Sequence, residues 1–210
     1  MSPRRKHPAV ADVRTHLMDA ALRAFARLGY DGASVRDIAS EAGVAPGLLY
    51  HYFPSKAAVL SALFDRSAGL VMAAFAEAAE VPDPAHRLAA LLRVSARIVR
   101  EHLEFWRVSY GVRFQQEVLA GLAEGVAAQS AVYHAAFTAL LTELGRPEPE
   151  LEAWLLFGAL DGVFQHFVLA PETYPLDPVI ERLILQHGGA PLPAPSVPPA
   201  PSDTATQEAL

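Results

Sequence analysis

Tyr50, His51 and Tyr52, followed by Lys56, bring two phenols, an imidazole and an ammonium close together in the chain. Donors of these kinds, and the backbone amides at a helix start, bond phosphate oxygens, while residues opening a recognition helix reach base edges. The chemistry open to this cluster is adhesion to a nucleic-acid backbone rather than bond making. Gly47 and Leu48 share its outward face and are not needed to close a core. The competing reading is a solvated helical hairpin in an α-helical domain.

Two short helices must hold these groups. Ser34 is a good N-cap, and Asp37 three residues on approximates a capping box, with Asp in place of the usual Glu or Gln. Val35, Ile38, Ala39 and Ala42 recur at helical spacing until Gly43, whose freedom at positive φ ends the helix. Val44 resumes the apolar pattern, Pro46 suits a first helical turn, and Leu49 and Phe53 continue the stripe. Two such helices joined at a glycine make a helix-turn-helix, with small Ala39 at the crossing and Leu49 filling the gap.

The run from Thr15 to Leu63, with its Gly-Tyr turn at 29–30, its Ala-Gly-Val at 42–44 and Leu-Tyr-His-Tyr-Phe-x-Ser-Lys at 49–56, resembles the DNA-binding domain of the TetR family of bacterial transcriptional regulators. The resemblance covers roughly the first third of the chain. It implies a homodimeric, all-helical repressor or activator whose DNA binding changes when a small molecule enters the C-terminal domain. It also implies phosphate contacts from Tyr50, His51, Tyr52 and Lys56 and a base-facing set of Ala45, Pro46, Gly47 and Leu48. Ser34 and Arg36 complete the expected DNA-binding residues. Many relatives carry a hydroxyl where this chain has Ala45 and a polar residue where it has Leu48; an apolar Leu48 suits a thymine methyl.

Of 210 residues, 52% are hydrophobic and 19% charged, enough for a substantial core in one or two domains. There is no cysteine, so disulfides, thiolate metal sites and cysteine nucleophiles are excluded. The net charge of −6 hides an asymmetry: residues 1–56 carry +3 and the remainder −9. Positive potential is concentrated at the helix-turn-helix end, and the acidic body limits indiscriminate binding. Arg4, Arg5 and Lys6 suit a flexible arm on DNA or equally a solubilising tail. The start of the chain lacks the apolar run of a signal peptide, and the apolar window 153–171 is interrupted by Asp161, Gln165 and His166. A cytoplasmic protein with no membrane partner is expected.

The chain divides into a basic arm (1–11), a helix-turn-helix domain (12–55), a ligand-binding and dimerisation domain (56–188) and a proline-rich, disordered tail (189–210) in which an inert role precedes that of a proline-motif ligand. Within these, helices are expected over 13–28, with Leu17, Ala21, Ala24, Phe25 and Leu28 inward, and 55–80, with Val59, Leu60, Leu63, Leu70, Val71, Ala74 and Phe75 inward. Others follow over 84–102, 105–114, 116–144 (with a break near Gly121 or Gly125), 150–169, and from an Asp177 cap to the glycines at 188–189. No strand pattern appears.

The segment 150–169 is apolar nearly all round and must be buried on more than one side. In the resembled family the last two long helices form a four-helix dimer bundle, which assigns Leu151, Leu155, Phe167, Val179 and Leu183 to a homodimer interface; a buried monomer core is the alternative. Aromatic and polar residues interleave in the same half, and His102, Trp106, Tyr110, Phe114, Tyr133, Phe137, Trp154, Phe157 and Asp161 are the expected lining of a site for a hydrophobic or amphipathic effector. His102, His134, His166 and Asp161 have no metal-ligand spacing, and no nucleophile elbow, P-loop or dinucleotide fingerprint occurs. No metal, cofactor or enzymatic activity is expected. A helical ligand-binding or interaction module that does not touch DNA remains the competing class.

Overall fold

The computed structural model describes residues 10–113 and 115–191. The arm through residue 9, the tail from 192 and Phe114 lie outside the described residues. Nine helices and no strand occur among those described, giving the expected all-α architecture: an N-terminal three-helix unit joined to a C-terminal helical bundle.

Helix α1 spans Val10–Gly32 and is broken at Gly29, at φ 73° and ψ 160°. It therefore begins inside the span assigned to the basic arm. Leu17, Ala20, Ala21, Ala24 and Phe25 are buried, whereas Leu28 is 38% exposed and leaves the expected inward line. Helix α2 (Val35–Glu41) has the full capping box: the Ser34 hydroxyl accepts from the Asp37 amide while the Asp37 carboxylate accepts from the Ser34 amide. Its end is a Schellman turn, with Val44 N–H donating to Ala39 (2.9 Å) and Gly43 N–H to Ser40 (3.1 Å) around Gly43 at φ 66°. A Cβ at Gly43 would meet nothing within 4 Å, so the backbone torsion alone demands glycine. Helix α3 (Pro46–Tyr52) carries Pro46 in its first turn and buries Leu49 to 1% exposure.

Helix α4 (Lys56–Ala79) starts on the Ser55 hydroxyl cap and ends at Glu80. Its buried line is Val59, Leu60, Leu63, Ser67, Ala74 and Ala78; Leu70, expected inside, is 41% exposed. The helical period is kept, but small residues hold the later positions, where α4 packs on α5. Among the described residues α4, rather than the 153–171 window, is long and apolar enough to cross a membrane, though its buried face serves the cores of this chain.

Helices α5 (Pro84–Glu101, capped by Asp83) and α6 (Leu103–Val112) meet at His102, which ends one and begins the other. Helix α7 (Gln116–Glu143) runs through Gly121 and Gly125 without the expected break. Helices α8 (Pro149–Leu169) and α9 (Leu176–Gln186) follow. The last begins one residue before the expected Asp177 cap, and Asp177 pairs instead with Arg100 on α5 at 2.5 Å. Gly189 and Ala190 are buried, with Ala190 N–H donating to Ala85, so the packed body reaches beyond the expected boundary at 188.

Two cores result. One joins α1–α3, the first half of α4, and Phe105, Val108 and Val112 of α6; the other joins α5, the end of α7, α8 and α9. Trp106 packs against both.

Candidate nucleic-acid interface and ligand cavity

Around α3 the solvent face holds Ala45, Pro46, Gly47, Leu48, Tyr50 and His51, with Leu48 38% and Tyr50 55% exposed. Gly47 offers bare backbone, since a Cβ there would meet nothing within 4 Å. Ala45 supplies no side-chain cap, and the residues expected to face bases are all exposed. Arg36 on α2 is exposed.

Three expected residues behave differently. Tyr52 is half-buried against the first core, edge-on to His51 at 5.2 Å, and so helps to close the core it was expected to ignore. Ser34 spends its hydroxyl on Asp37. Lys56 turns inward: its Nζ donates to the carbonyls of Tyr30 (2.7 Å) and Ala33 (3.0 Å), reaches that of Asp31 (3.4 Å), and lies 4.3 Å from the Tyr30 ring centroid. Those carbonyls belong to the last turn of α1 and to Ala33 just beyond it, which Lys56 ties to the start of α4. Sequence reasoning also missed His16, whose Nε2 meets the Ala42 carbonyl at 2.9 Å and anchors α2 to α1. The positive field is thinner than the formal count, because Arg23 and Arg27 both pair with Glu41. These exposed pairs contribute little stability.

This geometry agrees with the comparisons. Residues 17–63 match the family profile described as bacterial regulatory proteins, tetR family. The likeness to that family lies in this segment, the helix-turn-helix and its flanking helices. The transcriptional regulator UidR of Escherichia coli is 34% identical over 67 residues, which is 32% of this chain and 34% of UidR. The transcriptional repressor KstR2 of Rhodococcus jostii is 51% identical over 43 residues, 20% of this chain and 21% of KstR2. The chain thus spans about a third of UidR's length, and the likeness to both is confined to a short segment. A solved transcriptional regulator from Rhodococcus sp. Rha1 aligns more fully, over 83% of this chain and 94% of its own, with TM-score 0.72 at 25% identity.

In the C-terminal bundle, α4 to α8 surround a cavity of about 150 Å³. Trp106, Tyr110, Tyr133, Phe137, Phe157 and Asp161 line it as expected. Two expected residues do not: His102 is exposed at the α5–α6 joint, and Trp154 is 55% exposed and lies against His134 at 4.0 Å outside the bundle. Phe114, also expected, lies outside the described residues. The α4 wall (Phe64, Ser67, Val71, Phe75) and the Gln129 and Ser130 contribution of α7 escaped sequence reading. Buried Ser67 on an otherwise apolar helix was the available signal.

Asp161 of α8 and Arg113 at the end of α6 form a two-pronged ion pair, and the Tyr110 hydroxyl donates to Asp161 at 3.3 Å. Burial, then the Asp161 charge, push the Tyr110 phenol far up. Burial also pushes Tyr133 up to about 12. Both phenols are neutral donors near neutral pH.

On the expected dimer surface, Leu151, Leu155 and Leu169 are 53%, 64% and 73% exposed, and Gly158 is exposed between them along one face of α8. Leu185 of α9 is 51% exposed, Val179 and Leu183 are half-buried, and Leu183 packs on the second core. Phe167 is 5% exposed within its own chain and belongs to the monomer core, because it lies on the opposite face of an all-apolar helix.

Proposed function

We propose that this chain is a dimeric, sequence-specific DNA-binding regulator, acting as a repressor, whose operator affinity is changed by a small hydrophobic or amphipathic effector. The observation that carries the reading is the double use of α4. Its first residue, Lys56, ties down the end of α1 where the chain turns into α2, and its middle residues Phe64, Ser67, Val71 and Phe75 wall the cavity. A ligand that prefers one tilt of α4 therefore acts on α3, provided its affinity differs between the two tilts. A second route runs through α6, where Phe105 lines the cavity and is buried in the core shared with α1.

Exposed Leu151, Leu155, Leu169 and Leu185, with Gly158 allowing close approach, support α8 and α9 as the pairing surface. A dimer would present two α3 helices to successive major grooves of a palindromic site, about 34 Å apart. The repressor sign follows the name of KstR2.

The test is selection of genomic duplex fragments by the full chain, followed by titration across salt concentrations. An enriched palindrome with affinity falling steeply in salt is expected. A dimer that binds small molecules but shows no salt-sensitive duplex binding would make the chain a ligand-binding module instead.

A further inference from the structure

Gly188, at φ 86°, turns the chain after α9, and Gly189 N–H donates to the Ile184 carbonyl at 2.8 Å. A Cβ on Gly189 would fall 2.6 Å from the Ile184 side chain and 3.1 Å from that carbonyl, so the close approach requires glycine. Ala190 N–H then donates to the Ala85 carbonyl in the first turn of α5 at 2.9 Å, and the Ala190 carbonyl accepts from Arg93 at 3.3 Å. The exit of the C-terminal segment is therefore fixed, and it crosses from the first turn of α5 towards the third.

Arg93 also lines an open groove of about 300 Å³ between α4 and α5. Buried Ala74 and Ala78 of α4, with half-buried Ala90 and Val94 of α5, give that groove an apolar surface. Charges of both signs stand around it: Glu77 on α4, and on α5 Arg93 and an exposed Arg97 that has no hydrogen bond or ion pair among the described residues. A strongly charged partner would meet repulsion from one side or the other.

The sequence that continues from the exit suits this surface. From Pro191 to Ser202 it carries no charge, and six of those residues are proline. Proline has no N–H, so such a stretch accepts more hydrogen bonds than it donates, and it favours an extended helix of three residues per turn. Arginine only donates. Arg97 lies four residues beyond Arg93, ~6 Å along α5, which ~3.1 Å per residue of extended chain covers in two residues. It therefore meets the carbonyls just after that of Ala190, while three residues per turn put Leu192 and Pro195 on one face.

We infer that residues 191–195 dock in the α4–α5 groove of their own chain, with Leu192 and Pro195 on its apolar surface and backbone carbonyls on Arg97. Docked so, the segment braces the far end of α4 against α5. The inference stands whether or not the chain binds DNA.

The chain has no cysteine, so Ala90→Cys places one thiol in the groove. Its alkylation rate is compared in three full-length chains: the single variant, the same with Leu192→Asp and Pro195→Asp, and the same with Ala200→Asp and Ser202→Asp beyond the groove. The inner pair is expected to speed alkylation about tenfold, as for a groove covered nine-tenths of the time, and the outer pair to leave it slow. A second readout leaves the groove itself unaltered. Without the cysteine, Leu192→Asp with Pro195→Asp is expected to speed hydrogen exchange of amides 74–79 at the end of α4. Equal rates in either measurement overturn the inference. So does an alkylation rate that falls as protein concentration rises, because the groove is then covered by a second copy.

Discussion

The first core is built from Leu17, Ala20, Ala21, Ala24, Ile38 and Leu49, all at 0–1% exposure, with caps and turns satisfied by Ser34, Asp37, His16 and Lys56. The second half of the molecule surrounds a void with aromatic rings, leaves the buried Trp106 Nε1 and Tyr133 Oη without a partner among the described residues, and exposes leucines on its last two helices. One unit spends its polar groups on its own backbone; the other keeps some in reserve. In the proposed reading the first unit presents one backbone shape to a fixed partner, so every local rule is used to hold that shape, whereas the second keeps a void that a ligand can fill.

The largest effect that would test this contrast is loss of the dimer. Leu155→Glu places a charge in the exposed α8 stripe and is expected to yield a monomer by sedimentation with unchanged helix content, and to abolish palindrome binding. Phe167→Glu is instead expected to unfold the chain, since it buries an unpaired charge.

Next in size is Leu49→Ala, which empties a fully packed site. A loss of about 2–5 kcal/mol in denaturant unfolding is expected. By contrast Ser67→Val fills part of the cavity, and a gain of about 0.5–2 kcal/mol is expected in denaturant unfolding. Destabilisation by Ser67→Val would mean that the two halves are packed alike.

A smaller effect distinguishes two roles of Lys56. If it acts only as the clamp seen here, Lys56→Met lowers stability and DNA affinity but leaves the slope of log affinity against log salt unchanged. A phosphate contact would reduce that slope by about one. Tyr50→Phe, on the exposed face, is expected to weaken all duplexes alike.

The smallest effect concerns acid stability. Burial raises the Glu152 carboxyl, but hydrogen bonds from Arg146 and His187, both at 2.8 Å, outweigh it and hold the group below its usual 4.5. A depressed folded-state pKa contributes stability that is fully present above 4.5 and lost as pH falls through the lowered value. Glu152→Gln is expected to flatten the acid limb of the stability curve below that pH while leaving the α3 surface unaltered.

The reading head was legible because its signals are local: the Ser34–Asp37 box, Gly43 and Pro46 each dictate a backbone conformation within a few residues. The rest of the site was harder because a residue's apolarity does not say which side it faces. On α8, apolar all round, Phe167 points inward and Leu169 outward, and periodicity cannot separate them. Trp106 lines the cavity while Trp154 lies on the surface, although both are aromatics among helical neighbours. On α4, Ser67 and Ala78 took positions that a search for large side chains gives to Leu70. The inward turn of Lys56 depends on carbonyls 23 to 26 residues upstream, beyond any local pattern.

The chain has only two tryptophans, and the fold separates them: Trp106 on the cavity wall and Trp154 on the exposed shoulder of α8. Each is therefore an intrinsic fluorophore beside a different event. With Trp154→Phe, emission reports ligand occupancy alone; with Trp106→Phe, it reports what happens at the outer face of α8. On the proposed reading, recording the two variants side by side, with no attached dye, gives the order in time of ligand uptake and subunit rearrangement.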